Sequence, residues 1–164
     1  MRMSTHMDFS RNLIKGKIGE MIFEQMLNET DAFTVLSFGY ENVLPELAQH
    51  QHDMKAEEAM ETIRRAPDFV VINNETHDVH LVEVKYRSRV SLADNLKEAE
   101  RMLRTWKPAF LFLATPHGFY FDSVKNIVLA NGEMKPLGHE YFSEDVQEKY
   151  VTLLNEFILH HQSQ

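Results

Sequence analysis

The chain has 164 residues, of which 43% are hydrophobic and 26% are charged, and its formal net charge is −8. A chain of this length and average composition folds as one domain around its own core, which excludes wholesale disorder, collagen-like repeats and low-complexity architecture. It contains no cysteine, so disulfides, thiolate zinc sites and a cysteine nucleophile are excluded, and any metal has to bind to oxygen or imidazole.

The first predicted elements are a helix and a strand. Apolar residues recur every four positions through 10–29, which predicts a helix with one apolar face. These residues are Ile14, Ile18, Ile22 and Met26. Gly16 and Gly19 lower helix stability, so either a neighbouring backbone comes close to them or the helix begins only near Lys17. Residues 32–40 are rich in β-branched and aromatic side chains and predict the first strand.

The next segment is predicted to be an insertion that is followed by a β-hairpin. Residues 41–66 are acidic and rich in glutamine and histidine, and they contain one predicted helix at 53–65. Pro67 ends that helix, because the residue before a proline is pushed out of the α region. Apolar runs at 69–72 and 79–86, joined by a polar loop, predict two paired strands.

The last part of the chain is predicted to alternate helices with a second hairpin. Ser91 begins an amphipathic helix that ends before Pro108. Strands are predicted at 109–115 and 119–124, and a final helix at 143–161 has a serine cap and an acidic first turn. The predicted fold is a single α/β domain over the whole chain, with a mixed central sheet flanked by helices.

Two carboxylates and a lysine are predicted to meet in the first hairpin. Side chains alternate between the two faces of a strand, so Glu83 and Lys85 share one face of a central strand. The hairpin brings Asp68 alongside Glu83. Half-buried carboxylates repel each other unless a cation lies between them, so we predict a divalent metal site. Carboxylate and carbonyl ligands favour Mg²⁺ or Mn²⁺ over zinc.

These residues resemble a known signature. Pro67-Asp68, fourteen intervening residues and Glu83-Val84-Lys85, all on apolar strands, resemble the motif of the PD-(D/E)xK nuclease superfamily. Glu20, on the helix ahead of the first strand, is similar to the acidic residue that completes the site in archaeal Holliday-junction resolvases. The element order over 10–122 also resembles the family's restriction-endonuclease-like core. The insertion and the acidic net charge depart from the compact, basic resolvases.

The resemblance implies a Mg²⁺-dependent endonuclease that acts on DNA, with branched or structured DNA suggested by analogy and RNA left open. It implies that Asp68 and Glu83 hold the metal, with the Val84 carbonyl as a further ligand and Glu20 acting through water or a second ion. Lys85 would then orient the attacking water or neutralise charge in the transition state.

Basic residues surround the predicted site despite the acidic net charge. Seven basic residues outnumber four acidic ones between positions 83 and 107. Arg87 and Arg89 continue the Glu83 face beyond the site, and Lys15 and Lys17 lie on the first helix. These four residues are predicted to contact phosphates from two sides, unless they are only a solvated surface.

Several alternatives stay open. Lys85 and Glu83 could form a structural ion pair, and Glu20 could be an ordinary surface glutamate. A catalytically inactive module of the same fold, which binds nucleic acid or a protein partner, is favoured by the charge of −8 and by the acidic insertion. The histidine pairs at 50–52 and 160–161 supply too few fixed ligands for zinc.

The sequence also carries expectations about localisation and assembly. The longest apolar runs are far shorter than the ~20 residues that span a bilayer, and the N-terminus lacks the apolar stretch of a secretory signal. We therefore expect a cytoplasmic protein without a membrane partner. The apolar stripe of the helix at 143–161 would form a homodimer surface if its own sheet does not cover it.

Overall fold

The computed structural model describes residues 2–38, 58 and 66–160. The elements in chain order are α1 (Arg2–Asn28), β1 (Phe33–Ser37), β2 (Phe69–Asn73), β3 (Val79–Tyr86), α2 (Leu92–Leu103), β4 (Ala109–Thr115), β5 (Gly118–Ser123), α3 (Val124–Leu129) and α4 (Glu144–His160). The predicted insertion at 41–66 and its helix at 53–65 lie outside the described residues, apart from Glu58 and Ala66.

All five predicted strands are present, and two helices differ from the prediction. Strand β1 is shorter than the predicted 32–40, since it ends at Ser37, and residues 39–40 lie outside the described ones. Helix α1 begins at Arg2, eight residues before the predicted start. Its first turns contain methionine and arginine, which favour a helix, but they carry no apolar repeat from which the helix could be predicted. Helix α3 was not predicted, since its six residues are too few to show a helical period. Its side-chain cap is Ser123, which accepts a hydrogen bond from the backbone N–H of Asn126.

The five strands form one mixed sheet in the order β1-β2-β3-β4-β5. Strands β3 and β4 are parallel, and every other neighbouring pair is antiparallel. A parallel pair needs a crossover connection, which α2 supplies across one face of the sheet. The α/β prediction with a mixed central sheet flanked by helices is confirmed, and β3 is its central strand.

Each face of the sheet has its own core. One face packs against α1 and α4, and its buried residues include Phe23, Met26, Val82, Val84, Phe112 and Leu154. The other face packs against α2 and α3, and its buried residues include Ala99, Met102, Leu111, Leu113 and Ile127. The alternation of β3 therefore points Glu83 and Lys85 towards the α2 side of the sheet.

Helix α1 comes close to the end of β3 at Gly19. A Cβ atom on Gly19 would lie 3.4 Å from the Cβ of Tyr86 and 3.9 Å from Cγ1 of Val84. The close-approach interpretation is confirmed for Gly19, whereas a Cβ on Gly16 would meet no atom within 4 Å. This contact brings the next residue, Glu20, to the edge of the sheet where β3 ends.

The loop after α3 packs on the start of α2. Gly132 has a φ of +95°, and a Cβ there would lie 2.0 Å from the backbone oxygen of Leu92. The Asn95 side chain donates a 3.1 Å hydrogen bond to the Gly132 carbonyl. These contacts fix where α2 begins, and so where the rest of α2 lies over β3.

Helix α4 buries part of its apolar stripe against α1 and β5. Tyr150, Leu154 and Ile158 are buried, whereas Phe157 remains 54% exposed. The covered part of this stripe is therefore not available as the predicted dimer surface. No described helix combines the length and the apolarity that crossing a membrane requires.

Candidate active site

The register of the first hairpin places two carboxylates side by side. Phe69 pairs with Val82 in the β2–β3 ladder, so Asp68 and Glu83 occupy the next pair of positions. The Asp68 side chain accepts a 2.8 Å hydrogen bond at Oδ2 from the backbone N–H of Val84. The structure thus brings Asp68 to the Glu83 end of β3, as the hairpin argument predicts.

The two carboxylate oxygens of Glu83 have different surroundings. Glu83 is only 7% exposed. Its Oε1 lies 3.2 Å from Nζ of Lys85 and 3.6 Å from Nη2 of Arg101. Its Oε2 is buried and has no hydrogen-bond partner among the described residues. One oxygen is therefore engaged by cations, and the other makes no hydrogen bond to the described residues.

Two residues of α2 extend this cluster. Glu98 accepts a 3.0 Å hydrogen bond from Nε of Arg101, pairs with its Nη2, and lies 3.9 Å from Nζ of Lys85. Arg101 therefore bridges Glu83 and Glu98. Neither α2 residue was predicted from the sequence to belong to the site. The crossover connection could have indicated that α2 contributes to the site, because a helix that connects two parallel strands lies over the strand that precedes it.

Burial and like charge raise the pKa values of the two carboxyl groups. Burial, reinforced by the charge of Glu83, raises the pKa of Asp68 to about 7, although the Val84 N–H and Lys85 act in the opposite direction. Burial also raises the pKa of Glu83. Burial acts to lower the pKa of Lys85, but the carboxylates of Glu83 and Glu98 outweigh it and raise that pKa. A divalent cation relieves this kind of crowding of carboxylates.

The carboxylates face a cleft of about 700 Å³ between α1 and the end of β3. The predicted site residues that line it are Lys15, Glu20, Asp68, Glu83, Val84, Lys85, Arg87 and Arg89. Lys17 does not line the cleft, but its Nζ lies 3.3 Å from Oε2 of Glu20. All four residues predicted to be catalytic therefore open onto one cavity, and only Lys17 of the predicted phosphate contacts lies outside its lining.

The basic residues of the cleft differ in their partners. Nη1 of Arg87 lies 3.6 Å from Oδ2 of Asp94, at the start of α2. Arg89 is exposed in the loop after β3, and Lys15 is half-buried on α1. Lys15 and Arg89 thus lie on different elements of the cleft wall, which is the arrangement expected for contacts to two phosphates.

The donor set fits a hard divalent cation that keeps part of its water shell. Among the described residues, no three His, Asp or Glu side chains converge closely enough to form a metal site by themselves. Asp68, the unpaired Oε2 of Glu83 and the Val84 carbonyl would supply oxygen atoms only. Mg²⁺ typically binds through one or two carboxylates, waters and substrate phosphates, so two carboxylates at an open cleft satisfy its requirements.

Comparisons with protein families and with curated proteins add no evidence about the function of this site. The chain matches no protein-family model and no curated protein. The resemblance to PD-(D/E)xK nucleases therefore depends on the motif residues and on the order of the elements in the sequence, and membership of that superfamily stays a prediction.

Proposed function

We propose that the protein is a metal-dependent endonuclease of the PD-(D/E)xK type, which hydrolyses phosphodiester bonds in DNA. One observation carries the proposal: Asp68 and Glu83 lie side by side in an open cleft, with an unpaired oxygen on Glu83. Two poorly solvated carboxylates raise the free energy of the folded chain unless something binds between them. Strongly perturbed acidic groups in a cleft are typical of functional sites.

Mg²⁺ or Mn²⁺ is the proposed cofactor. Asp68, Glu83 and the Val84 carbonyl would hold it, and Glu20 would act through water. When bound, such an ion polarises a phosphoryl oxygen and lowers the pKa of a bound water. The hydrogen bond from Val84 to Asp68 and the contacts of Lys85 and Arg101 with Glu83 keep the two carboxylates in place for binding.

Lys85 is proposed to stabilise negative charge on the phosphate in the transition state. Its raised pKa keeps the ammonium protonated near neutral pH, which supports a role as a charged hydrogen-bond donor and not as a general base. The lysine stem is flexible, so its ammonium can move from Oε1 of Glu83 towards a phosphate oxygen.

DNA is the proposed substrate because the cleft offers cations where a backbone would lie. Lys15 and Arg89 line it from separate elements, and Arg87, whose Nη1 lies 3.6 Å from Oδ2 of Asp94, lines it as well. Phosphate contacts of this kind position a nucleic acid without reading its sequence. A preference for branched or structured DNA is part of the proposal by analogy with the resolvases, and RNA is the alternative that the experiment includes.

The test is a cleavage assay with four labelled substrates, namely a four-way DNA junction, a DNA duplex, single-stranded DNA and single-stranded RNA. We expect cleavage of DNA with Mg²⁺ or Mn²⁺ and none with EDTA. Asp68→Asn and Glu83→Gln should each lower the rate by at least a hundredfold. Asp31→Asn and Glu100→Gln, at exposed positions outside the cleft, are the matched controls and should cleave like wild type. Cleavage that survives both cleft substitutions would contradict the proposal.

The second candidate is a binding module of the same fold that performs no reaction. It is favoured by the ion pairs that already engage Lys85 and Oε1 of Glu83, which could serve stability alone. This candidate predicts that wild-type protein leaves all four substrates intact with either metal. It also predicts that Asp68→Asn and Glu83→Gln bind nucleic acid as tightly as wild type does.

A further inference from the structure

A second cavity, of about 380 Å³, lies on the opposite face of the sheet from Glu83 and Lys85. It is lined by residues of α1, of all five strands and the β2–β3 turn, and of the segment that precedes α4. None of its lining residues lines the cleft of the candidate active site. Its volume falls within the range of ~300–1,000 Å³ that is common for small-molecule sites.

Aromatic rings make up a large part of the wall of this cavity. The rings that line it are Phe23, Phe33, Phe112, Phe121, Tyr141 and Phe142. Several of them contact each other, since the ring centres of Phe33 and Tyr141 are 4.9 Å apart and those of Phe23 and Phe112 are 4.8 Å apart. Such a wall favours an apolar body, and the negative faces of aromatic rings attract a cation.

The rim of the cavity is negative. Asp78, from the hairpin, and Glu140, from the segment before α4, are both exposed and both line it. Its described lining residues include no lysine or arginine. His80 also lines the cavity, and burial lowers its pKa, opposed in part by Asp78, so the imidazole adds no positive charge near neutral pH.

We propose that this cavity binds a small organic cation, in which a primary or quaternary ammonium group is carried on an aromatic or short aliphatic body. The body would pack on the rings, and the ammonium would lie at the rim near Asp78 and Glu140. A neutral analogue of the same shape would lose the charge attraction, and a carboxylate would meet two like charges. This binding site is independent of the nuclease proposal.

Calorimetric titration with model compounds tests the ligand class. The probes are 2-phenylethylamine and phenyltrimethylammonium, with 2-phenylethanol as the neutral analogue and 3-phenylpropionate as the anionic one. We expect both ammonium compounds to bind saturably and at least tenfold more tightly than the neutral compound, and the anion to bind most weakly. No saturable binding of the ammonium compounds, or equal affinity for the neutral one, would overturn the inference.

Variants test the location. The double variant Asp78→Asn, Glu140→Gln should lose the tenfold preference for ammonium, whereas Glu75→Gln, Glu148→Gln, which changes two exposed acids outside the cavity, should keep it. The double variant Asp68→Asn, Glu83→Gln should also keep it, because a cation held in the nuclease cleft would otherwise account for the binding. Loss of the preference in this last variant, or its survival in the first, would overturn the inference.

Amide chemical shifts give a readout that does not depend on the variants. Titration of wild-type protein with phenyltrimethylammonium should shift the amide signals of Thr76, Val82 and Gly138, which line the cavity. The signals of Arg87 and Ser88, in the other cleft, should stay in place. Shifts confined to Arg87 and Ser88 would place the cation in the wrong site and overturn the inference.

Discussion

The carboxylate of Asp68 accepts a hydrogen bond from the backbone N–H of Val84, on the neighbouring strand. This bond lies just beyond the last pair of the β2–β3 ladder, so the register of the hairpin sets the position of one acid relative to the other. A slip of one residue would turn Glu83 towards the α1 core. The spacing of the two carboxylates is therefore a property of the fold.

The first prediction concerns the pH dependence of stability. The pKa of Asp68 is about 7 in the folded protein, against 3.8 for an ordinary aspartate. Between these values the folded state binds more protons than the unfolded state, so this group's contribution to the free energy of unfolding falls as the pH rises from about 4 to about 7. Without metal, Asp68→Asn should be about 1 to 3 kcal/mol more stable than wild type at pH 8.

Urea denaturation at pH 4.5, 6 and 8 in EDTA measures this effect. The stability difference between Asp68→Asn and wild type should shrink towards pH 4.5, while Asp31→Asn, at an exposed position, should follow wild type throughout. A difference that does not change with pH would show that Asp68 is not the group responsible.

The second prediction concerns Arg101 as a positioning residue for Glu83. Arg101→Met removes one cation from Glu83 and Glu98, so that Lys85 has to form the ion pairs with both carboxylates. We expect a loss of about 1 kcal/mol in the free energy of unfolding, because Arg101 is partly exposed. We also expect at least a threefold loss in Mn²⁺ affinity by calorimetry. Arg104→Met, at an exposed position after α2, should change neither quantity, and equal behaviour of the two variants would count against the positioning role.

The third prediction concerns contacts with phosphate. Lys15→Ala and Arg89→Ala should each weaken binding to a DNA duplex in EDTA, irrespective of its sequence. Each should reduce the slope of log affinity against log salt by about 1. Fluorescence anisotropy at several salt concentrations measures both effects. Lys125→Ala, at an exposed position on α3, is the control, and an unchanged slope in the cleft variants would place the DNA elsewhere.

The fourth prediction concerns the contact between α1 and β3. Gly19→Ala should be tolerated, because its Cβ would lie 3.4 Å from Tyr86 and alanine favours a helix by about 1 kcal/mol over glycine. Gly19→Leu should destabilise the protein by about 1 to 3 kcal/mol, because the longer side chain has to push α1 away from β3. Gly16→Leu has open space around its Cβ and is the control in thermal denaturation. Equal stability of the two leucine variants would refute the close packing at Gly19.

The fifth prediction concerns the loop that holds the start of α2. Gly132→Ala would place a Cβ 2.0 Å from the Leu92 oxygen at a positive φ, so we expect a loss of at least about 2 kcal/mol in the free energy of unfolding. Gly138→Ala meets no atom within 4 Å and should be nearly neutral. Urea denaturation of the two variants measures the contrast, and similar midpoints would contradict it.

Local patterns were enough to predict much of the fold and the core of the cleft. The strand period of two put Glu83 and Lys85 on one face, and a short hairpin loop left little freedom in where Asp68 could lie. Glu98 and Arg101 could not be assigned in the same way, because their approach to Glu83 depends on how α2 packs across the sheet. The aromatic cavity depends on Phe23, Val82 and Phe142 coming together from distant parts of the chain, which no spacing along the sequence reveals.

The central position of β3 has a mechanical consequence. Strands on both sides hold its backbone, so amide hydrogen exchange around Glu83 should be among the slowest in the chain. The backbone that carries Glu83 is therefore held rigidly, and we expect it to change conformation little when a ligand binds. If the protein binds DNA as proposed, we expect the exposed loop that carries Arg89 to adjust to the DNA backbone more than β3 does.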